Sequence, residues 1–158
     1  MRTLILLRHA HAEPASAEQS DLDRALSAEG LAEAEAAGRW LVEQGLTPDR
    51  VLCSPARRTR ETLEAVLRSI GYVEQRLADS AYEATAGTLA ELVDEHRDVQ
   101  RLMLVGHNPG LERLAALLHS GQSGDYRGMP PGSIVELQFD TDAGIEPGTA
   151  KLASFWWP

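Results

Sequence analysis

Four short strand-like segments, each followed by a segment with helical spacing of apolar residues, constrain the fold of this chain most strongly. They lie at residues 2–7, 51–53, 73–77 and 101–105. Strands that alternate with helices in this way form a largely parallel sheet with helices on both faces. Two further strands, 133–139 and 149–157, are close enough in sequence to pair as an antiparallel hairpin. We therefore predict an α/β fold, a three-layer α/β/α sandwich with a mostly parallel mixed sheet.

The helices between these strands are predicted from capping residues and helix breakers. Gly45 and Gly71 end the first two helices, because glycine tolerates the backbone that closes a helix. Asn108 is expected to be the N-cap of the fourth helix, with Pro109 as its first residue. The predicted helices begin after Ser27, at Ser54-Pro55, near Thr88 and at Asn108-Pro109.

Length and composition place the chain among ordinary globular domains. It has 158 residues, of which 43% are hydrophobic and 25% charged, which fits a single domain over residues 1–158. A lone cysteine, Cys53, allows no disulfide within the chain and favours a reducing, cytoplasmic location. No apolar run is long enough for a signal peptide or a membrane span. We expect a soluble cytoplasmic protein. The sequence leads to no prediction of its oligomeric state.

The formal net charge of −9 argues against nucleic acid and against an anionic membrane as partners. Its distribution leaves room for a small anionic group. Residues 11–49 carry nine acidic residues and two arginines, whereas residues 50–68 carry five arginines and two glutamates. A phosphoryl group held in a local arginine pocket is therefore compatible with the acidic total.

Three segments place reactive residues directly after predicted parallel strands. They are Arg8-His9-Ala10, the segment from Ser54 to Arg58, and Gly106-His107-Asn108-Pro109. Ligands of open α/β sheets bind outside the carboxyl ends of the strands, so these segments are expected to meet at one edge. The resulting cluster contains two histidines and two or three arginines.

This combination of side chains suits phosphoryl transfer through histidine. Two guanidinium groups can hold a phosphoryl group with forked hydrogen bonds. A neutral imidazole can attack phosphorus and form phosphohistidine, and a second imidazole can donate to an oxygen on which charge develops. Carboxylates do not closely flank His9 or His107, and no P-loop occurs, so we expect no metal and no cofactor.

The same segments carry a resemblance to a known family. Arg8-His9-Ala10 after an N-terminal strand resembles the Arg-His-Gly signature of the histidine phosphatase superfamily, which includes the cofactor-dependent phosphoglycerate mutases. Ser54-x-x-x-Arg58-x-x-x-Thr62 is similar to its second motif, and His107 resembles its second catalytic histidine. Asp23-Arg24-x-Leu26-Ser27-x-x-Gly30 resembles the segment before its first helix. The short length is similar to that of the bacterial SixA-type phosphohistidine phosphatases.

The resemblance spans nearly the whole chain and implies a phosphoglycerate mutase-like fold with assigned site residues. His9 would be the nucleophile, and Arg8, Arg58 and His107 would bind the phosphoryl group. The implied general acid is Asp79, with Glu83 as its rival. Arg24 and Arg57 stay without a settled role.

One position departs from the family pattern: Ala10 stands where glycine is commoner. If the backbone there needed a positive φ, alanine would cost about 1 kcal/mol.

The function expected from these residues is a phosphatase that forms phospho-His9, with phosphohistidine in a protein as the leading substrate. The alternative within the superfamily is a phosphatase of a small phosphate ester. An alternative of another class is a non-catalytic module that binds phosphate. The expected partner is accordingly a phosphorylated protein or a small phosphorylated molecule.

Overall fold

The computed structural model describes residues 1–140 and 142–158, within which the chain forms six strands and four α-helices. The strands are β1 (Thr3–Arg8), β2 (Arg50–Cys53), β3 (Glu74–Leu77), β4 (Arg101–Gly106), β5 (Ile134–Gln138) and β6 (Lys151–Trp156). The helices are α1 (Ala28–Glu43), α2 (Arg57–Ile70), α3 (Ala86–Asp94) and α4 (Gly110–Ser120). Among the described residues, no helix is both long enough and apolar enough to cross a membrane.

The strands form one mixed sheet in the order β3-β2-β4-β1-β5-β6. The pairs β3–β2, β2–β4 and β4–β1 are parallel, whereas β1–β5 and β5–β6 are antiparallel. This arrangement confirms the predicted α/β class, the largely parallel sheet and the C-terminal hairpin.

Alternating side chains of the central strands build two separate cores. In β1, Ile5 and Leu7 join a cluster with α1 and α2, while Leu4 and Leu6 join a cluster with α3 and α4. All four side chains are fully buried. A strand with both faces covered has no position for a polar residue, which explains the unbroken apolar run of β1. Each buried leucine or isoleucine contributes about 1.5–3 kcal/mol.

The starts of three helices differ from the prediction. Helix α2 begins at Arg57, with Ala56 as its N-cap, and not at the expected Ser54-Pro55. Helix α3 begins before the expected residue 88, because Thr85 caps it and accepts a hydrogen bond from the Thr88 N–H at 3.1 Å. For α4 the prediction was wrong by one residue, since the helix begins at Gly110 and Pro109 occupies the capping position. The Asn108 Oδ1 still accepts from the Glu112 N–H at 3.3 Å. Its Nδ2 donates to the Met129 carbonyl at 2.9 Å, so this side chain also holds the loop before β5.

Helix α1 approaches the segment after β1 so closely that only glycine fits at Gly30. A Cβ atom at that position would lie 1.9 Å from the His11 carbonyl oxygen. The Ser27 N–H donates to the same carbonyl at 3.0 Å, and the Ser27 hydroxyl accepts from the Gly30 N–H, as the predicted N-cap does. The start of α1 is thus packed against the chain two residues beyond His9.

We expect Gly30→Ala to lower the free energy of unfolding by about 1–3 kcal/mol, because backbone atoms must move to admit the methyl group. This loss should occur although alanine favours a helix over glycine by about 1 kcal/mol. Urea unfolding followed by circular dichroism measures the change. Gly124→Ala is the control, since a Cβ there has nothing within 4 Å. Equal stability of both variants would contradict the close approach.

Candidate active site

The parallel pairing of three strands brings the reactive segments together. Arg8 in β1 is opposite Gly106 in β4, so the next residues, His9 and His107, are neighbours. The His9 N–H donates to the Gly106 carbonyl at 3.0 Å, and the two imidazole centroids are 5.3 Å apart. On the other side of β4, the Ser54 N–H donates to Val105. The three strand ends therefore meet at one edge of the sheet, as the sequence predicts.

His9 has the protonation and tautomer that a nucleophile needs. Its Nδ1 lies 2.7 Å from the Ala10 carbonyl, which can only accept, so Nδ1 carries the proton and Nε2 keeps its lone pair. Burial is the main cause that lowers the pKa of His9 from 6.5 to about 4, and the positive charges of Arg8 and Arg58 act in the same direction. The imidazole is therefore neutral at neutral pH.

His107 is oriented by Ser54, whose Oγ lies 2.7 Å from Nε2 of the ring. The same Oγ accepts a long hydrogen bond from the Ala56 N–H at 3.4 Å. Because the buried Ser54 hydroxyl has no other acceptor among the described residues, it donates its proton to Nε2. The ring proton then lies on Nδ1, which is buried and has no protein partner among the described residues. Burial is the main cause that lowers the pKa of His107 to about 3, followed by the charge of His9.

Two arginines flank the histidines and keep donors available. Arg8 Nη1 donates to the Met129 carbonyl at 2.7 Å. Arg58 is 6% exposed, and its Nη1 and Nη2 donate to the backbone and side-chain oxygens of Asp21 at 2.7 and 3.0 Å. The Nε atoms of Arg8 and Arg58 are buried without a partner in the described part of the chain. An oxyanion bound beside His9 could accept from both.

Thr62 connects the second motif to the first. Its Oγ1 donates to the Arg58 carbonyl at 2.7 Å and accepts from the Ala10 N–H at 3.0 Å. Ala10 is fully buried, and its φ is not positive, because Glu83 is the one non-glycine residue with positive φ in residues 1–140 and 142–158. The backbone strain considered for alanine at this position is therefore absent.

The two candidate acids occupy different places. Asp79 is exposed in a short 3-10 segment after β3. Glu83, with a φ of 53°, lies on the wall of a cavity of about 580 Å³ that Arg58 and His107 also line. Tyr82 borders the same cavity, and its ring meets the His107 ring edge-on at 5.6 Å between centroids. The geometry therefore groups Glu83, and not Asp79, with the cluster.

The two arginines without a settled role differ in their position. Arg57 lies apart from the donor cluster, whereas Arg24 contacts it through Asp21, and its positive charge also lowers the pKa of His9. Arg57 is exposed and pairs with Glu61 on the same helix at 3.4 Å. Arg24 donates to the Glu13 carbonyl at 3.0 Å and to the Asp21 carboxylate at 3.1 Å. Arg24 therefore organises the loop between β1 and α1.

Sequence reasoning missed four residues that shape the site. Ser54 and Thr62 have no predicted role beyond their place in the second motif, yet each bonds directly to a segment that carries a candidate residue. Their place in the Ser-x-x-x-Arg-x-x-x-Thr motif was the available signal. Asp21 and Tyr82, which bond to each other and border Arg58 and His107, carried no signal beyond general loop composition.

No metal centre is evident in the geometry. Among residues 1–140 and 142–158, no three histidine, cysteine, aspartate or glutamate side chains come together in a way that could hold a metal ion. The donors around His9 are cations and imidazoles, which suit an anion.

Comparison with known proteins identifies relatives across most of the chain. The family model for the histidine phosphatase superfamily (branch 1) matches residues 4–101. An uncharacterized chloroplastic protein of Arabidopsis thaliana is 36% identical over 133 residues, covering 77% of this chain and 61% of that protein. This chain thus spans less than two thirds of that relative. An uncharacterized protein of Mycobacterium tuberculosis is 34% identical over 148 residues, covering 88% and 92% of the two chains.

A solved structure is similar over its whole length. The putative phosphohistidine phosphatase SixA from Agrobacterium tumefaciens is 29% identical, and the TM-score is 0.86. The match covers 99% of this chain and 98% of that one. The phosphoglycerate mutase-like fold expected from the sequence is thereby confirmed.

The lowered pKa values of both histidines predict that the protein loses stability in mild acid. In the unfolded chain both histidines take up a proton below about pH 6.5. In the folded chain His9 takes one up only near pH 4 and His107 only near pH 3, so acid favours the unfolded state. Glutamine at position 107 cannot take up this proton. Between pH 7 and pH 5 we therefore expect the free energy of unfolding of His107→Gln to fall by about 2 kcal/mol less than that of the wild type. Urea unfolding at the two pH values measures the difference. Parallel losses in both proteins would show that His107 titrates normally.

Proposed function

We propose that this chain, which belongs to branch 1 of the histidine phosphatase superfamily, hydrolyses phosphohistidine in proteins through a covalent phospho-His9 intermediate. One observation carries the proposal. Three buried donors, Arg8 Nε, Arg58 Nε and His107 Nδ1, have no partner among the described residues and flank a neutral imidazole with a free Nε2. Buried donors normally have partners, so a cluster of such donors suits a bound oxyanion.

In the first step, the lone pair of His9 Nε2 attacks phosphorus in line with the leaving group. The new N–P bond forms as the bond from phosphorus to the leaving group breaks, and the departing atom takes a proton. Arg8, Arg58 and the Nδ1–H of His107 hold the non-bridging oxygens and stabilise the charge that develops on them. Because both histidines are neutral before substrate binds, His9 needs no base to become a nucleophile.

In the second step, water attacks the phosphorus of phospho-His9 as the N–P bond breaks. The proton that the water loses goes to the Glu83 carboxylate, our candidate for the group that protonated the leaving group in the first step. The products are inorganic phosphate and His9 with its Nε2 lone pair restored. The hydrogen bond from Nδ1 to the Ala10 carbonyl keeps the ring in the same orientation through both steps.

The leaving group is proposed to occupy the cavity beside Arg58 and His107. Glu83 lies on its wall and is our candidate for the proton donor, in preference to Asp79. When the substrate is phosphohistidine, the leaving group is an imidazole, which departs more easily than an alkoxide and depends less on such an acid.

Similarity to the SixA structure supports phosphohistidine as the substrate, since that match extends over both chains. A small phosphate ester is the second candidate, favoured by the position of Glu83 beside the cavity, because an alkoxide leaving group needs a proton.

We expect His9→Ala to abolish turnover of an aryl phosphate and to leave no acid-labile phosphoenzyme, because no other side chain replaces the nucleophile. Steady-state hydrolysis and rapid-quench labelling measure the two quantities. His11→Ala is the control and should keep both, since its exposed ring bonds to Ser27. If the wild type shows neither turnover nor a phosphoenzyme, the protein is a phosphate-binding module and the enzyme proposal fails.

The same assay, run with a phosphorylated histidine-containing protein and a panel of sugar phosphates, tests the substrate. We expect the phosphoprotein to have the higher kcat/KM. Equal or better turnover of the sugar phosphates would replace phosphohistidine with the small-ester alternative.

For Glu83→Gln we expect a loss of at least tenfold in kcat with an alkyl phosphate and less than threefold with phosphohistidine, because only the alkoxide needs protonation. Asp79→Asn is the matched control and should change neither rate. The measurement is kcat for each substrate in the three proteins. A larger loss in Asp79→Asn would restore Asp79 as the acid.

A further inference from the structure

The Asp21 carboxylate lies against the arginine that is proposed to bind the phosphoryl group. Its Oδ2 accepts from Arg58 Nη2 at 3.0 Å, and its backbone carbonyl accepts from Arg58 Nη1 at 2.7 Å. The Tyr82 hydroxyl donates to the same Oδ2, and Arg24 Nη1 donates to Oδ1 at 3.1 Å. One carboxylate in the loop between β1 and α1 thus contacts two arginines and a cavity-lining phenol.

This carboxylate stays charged in the folded protein. The hydrogen bond from Tyr82, with those from Arg24 and Arg58, holds the pKa of the Asp21 carboxyl well below its usual range. The same contact raises the pKa of Tyr82 to about 12, so the phenol remains a donor. Tyr82, which donates to this carboxylate, meets the His107 ring edge-on at 5.6 Å between centroids, so the charge of Asp21 lies close to the candidate site.

A full negative charge beside a phosphate pocket opposes the binding of a phosphoryl dianion. Arg8 and Arg58 without a counter-charge would bind inorganic phosphate tightly, and phosphate is the second product of the proposed reaction. A carboxylate bound to Nη2 of Arg58 offsets part of this attraction, because it uses one of the guanidinium donors and repels the dianion.

We propose that Asp21 is a release-determining residue, whose carboxylate competes with phosphate for Arg58 and so keeps the product from saturating the site. The effect on turnover rests on the proposed function. The competition between the carboxylate and an oxyanion for one guanidinium group concerns only the affinity for phosphate.

A purely structural role for Asp21 makes the opposite prediction. If the carboxylate only holds Arg58 in place, Asp21→Ala should weaken phosphate binding and Asp21→Asn, which keeps an acceptor for Nη2, should leave it unchanged. Removal of a competing charge should instead strengthen binding in both variants.

The experiment measures the dissociation constant of inorganic phosphate by calorimetry and its product-inhibition constant in the aryl phosphate assay. We expect both constants to fall about tenfold in Asp21→Asn and in Asp21→Ala, with KM falling in parallel. Asp23→Asn is the matched control, because it removes the same charge from the same segment. The Asp23 carboxylate accepts a hydrogen bond from the Ser20 hydroxyl at 3.0 Å. We therefore expect Asp23→Asn to change both phosphate constants by less than twofold.

A tightening of less than threefold in Asp21→Asn, or weaker binding in it, overturns the proposal, as does an equal shift in Asp23→Asn. If Asp21→Asn fails to fold by circular dichroism, the same thresholds apply to Asp21→Ala. Calorimetry needs no turnover, so the affinity ratio decides the role of Asp21 even if His9 is never phosphorylated. If labelling detects no phospho-His9, the proposed function fails, and this result is independent of the affinity measurement.

Discussion

The parallel pairing of β1 with β4 is the constraint on which the candidate site depends. Its register places Arg8 opposite Gly106, and the residues that follow are therefore both histidines at one sheet edge. The backbone hydrogen bond from His9 to Gly106 holds the first histidine at the point where the strand ends. A slip of one residue would turn alternate side chains of β1 to the other face and exchange its two cores. The packing of Leu4 to Leu7 on both faces therefore also fixes the position of the candidate nucleophile.

Electrostatics at this edge combines desolvated neutral imidazoles with permanent cations. Burial makes a histidine neutral but leaves an arginine charged. The same low-polarity surroundings therefore give His9 a neutral imidazole with a free lone pair and Arg58 a charged guanidinium group. Asp21 supplies the opposing charge from a loop, where it contacts Arg24 as well as Arg58. The candidate site thus combines permanent cations with one opposing carboxylate.

Apolar periodicity, capping residues and helix breakers were sufficient for the order of the elements, because they are local patterns. The short separation of the last two strands was sufficient for the mixed sheet. Helix ends were less certain from sequence. Asparagine is a residue type that favours the N-cap, yet α4 begins at Gly110, two residues after Asn108. The Asn108 amide also donates to the Met129 carbonyl of a loop 21 residues away. Likewise, motif spacing selected Arg58 over Arg57, and in the structure Arg58 is buried while Arg57 is exposed.

The sequence by itself determined the strand–helix alternation and the three motifs at strand ends, since both are local patterns along the chain. It left Asp79 and Glu83 as rivals, because their order in the chain says nothing about which one faces a cavity. Tertiary structure decided that Glu83 lines the cavity with His107, and that Asp21 and Tyr82 meet although they are 61 residues apart. Those contacts arise only when the β1–α1 loop and the segment after β3 fold over the same sheet edge. Long-range packing, rather than local propensity, therefore places the charges around the candidate site.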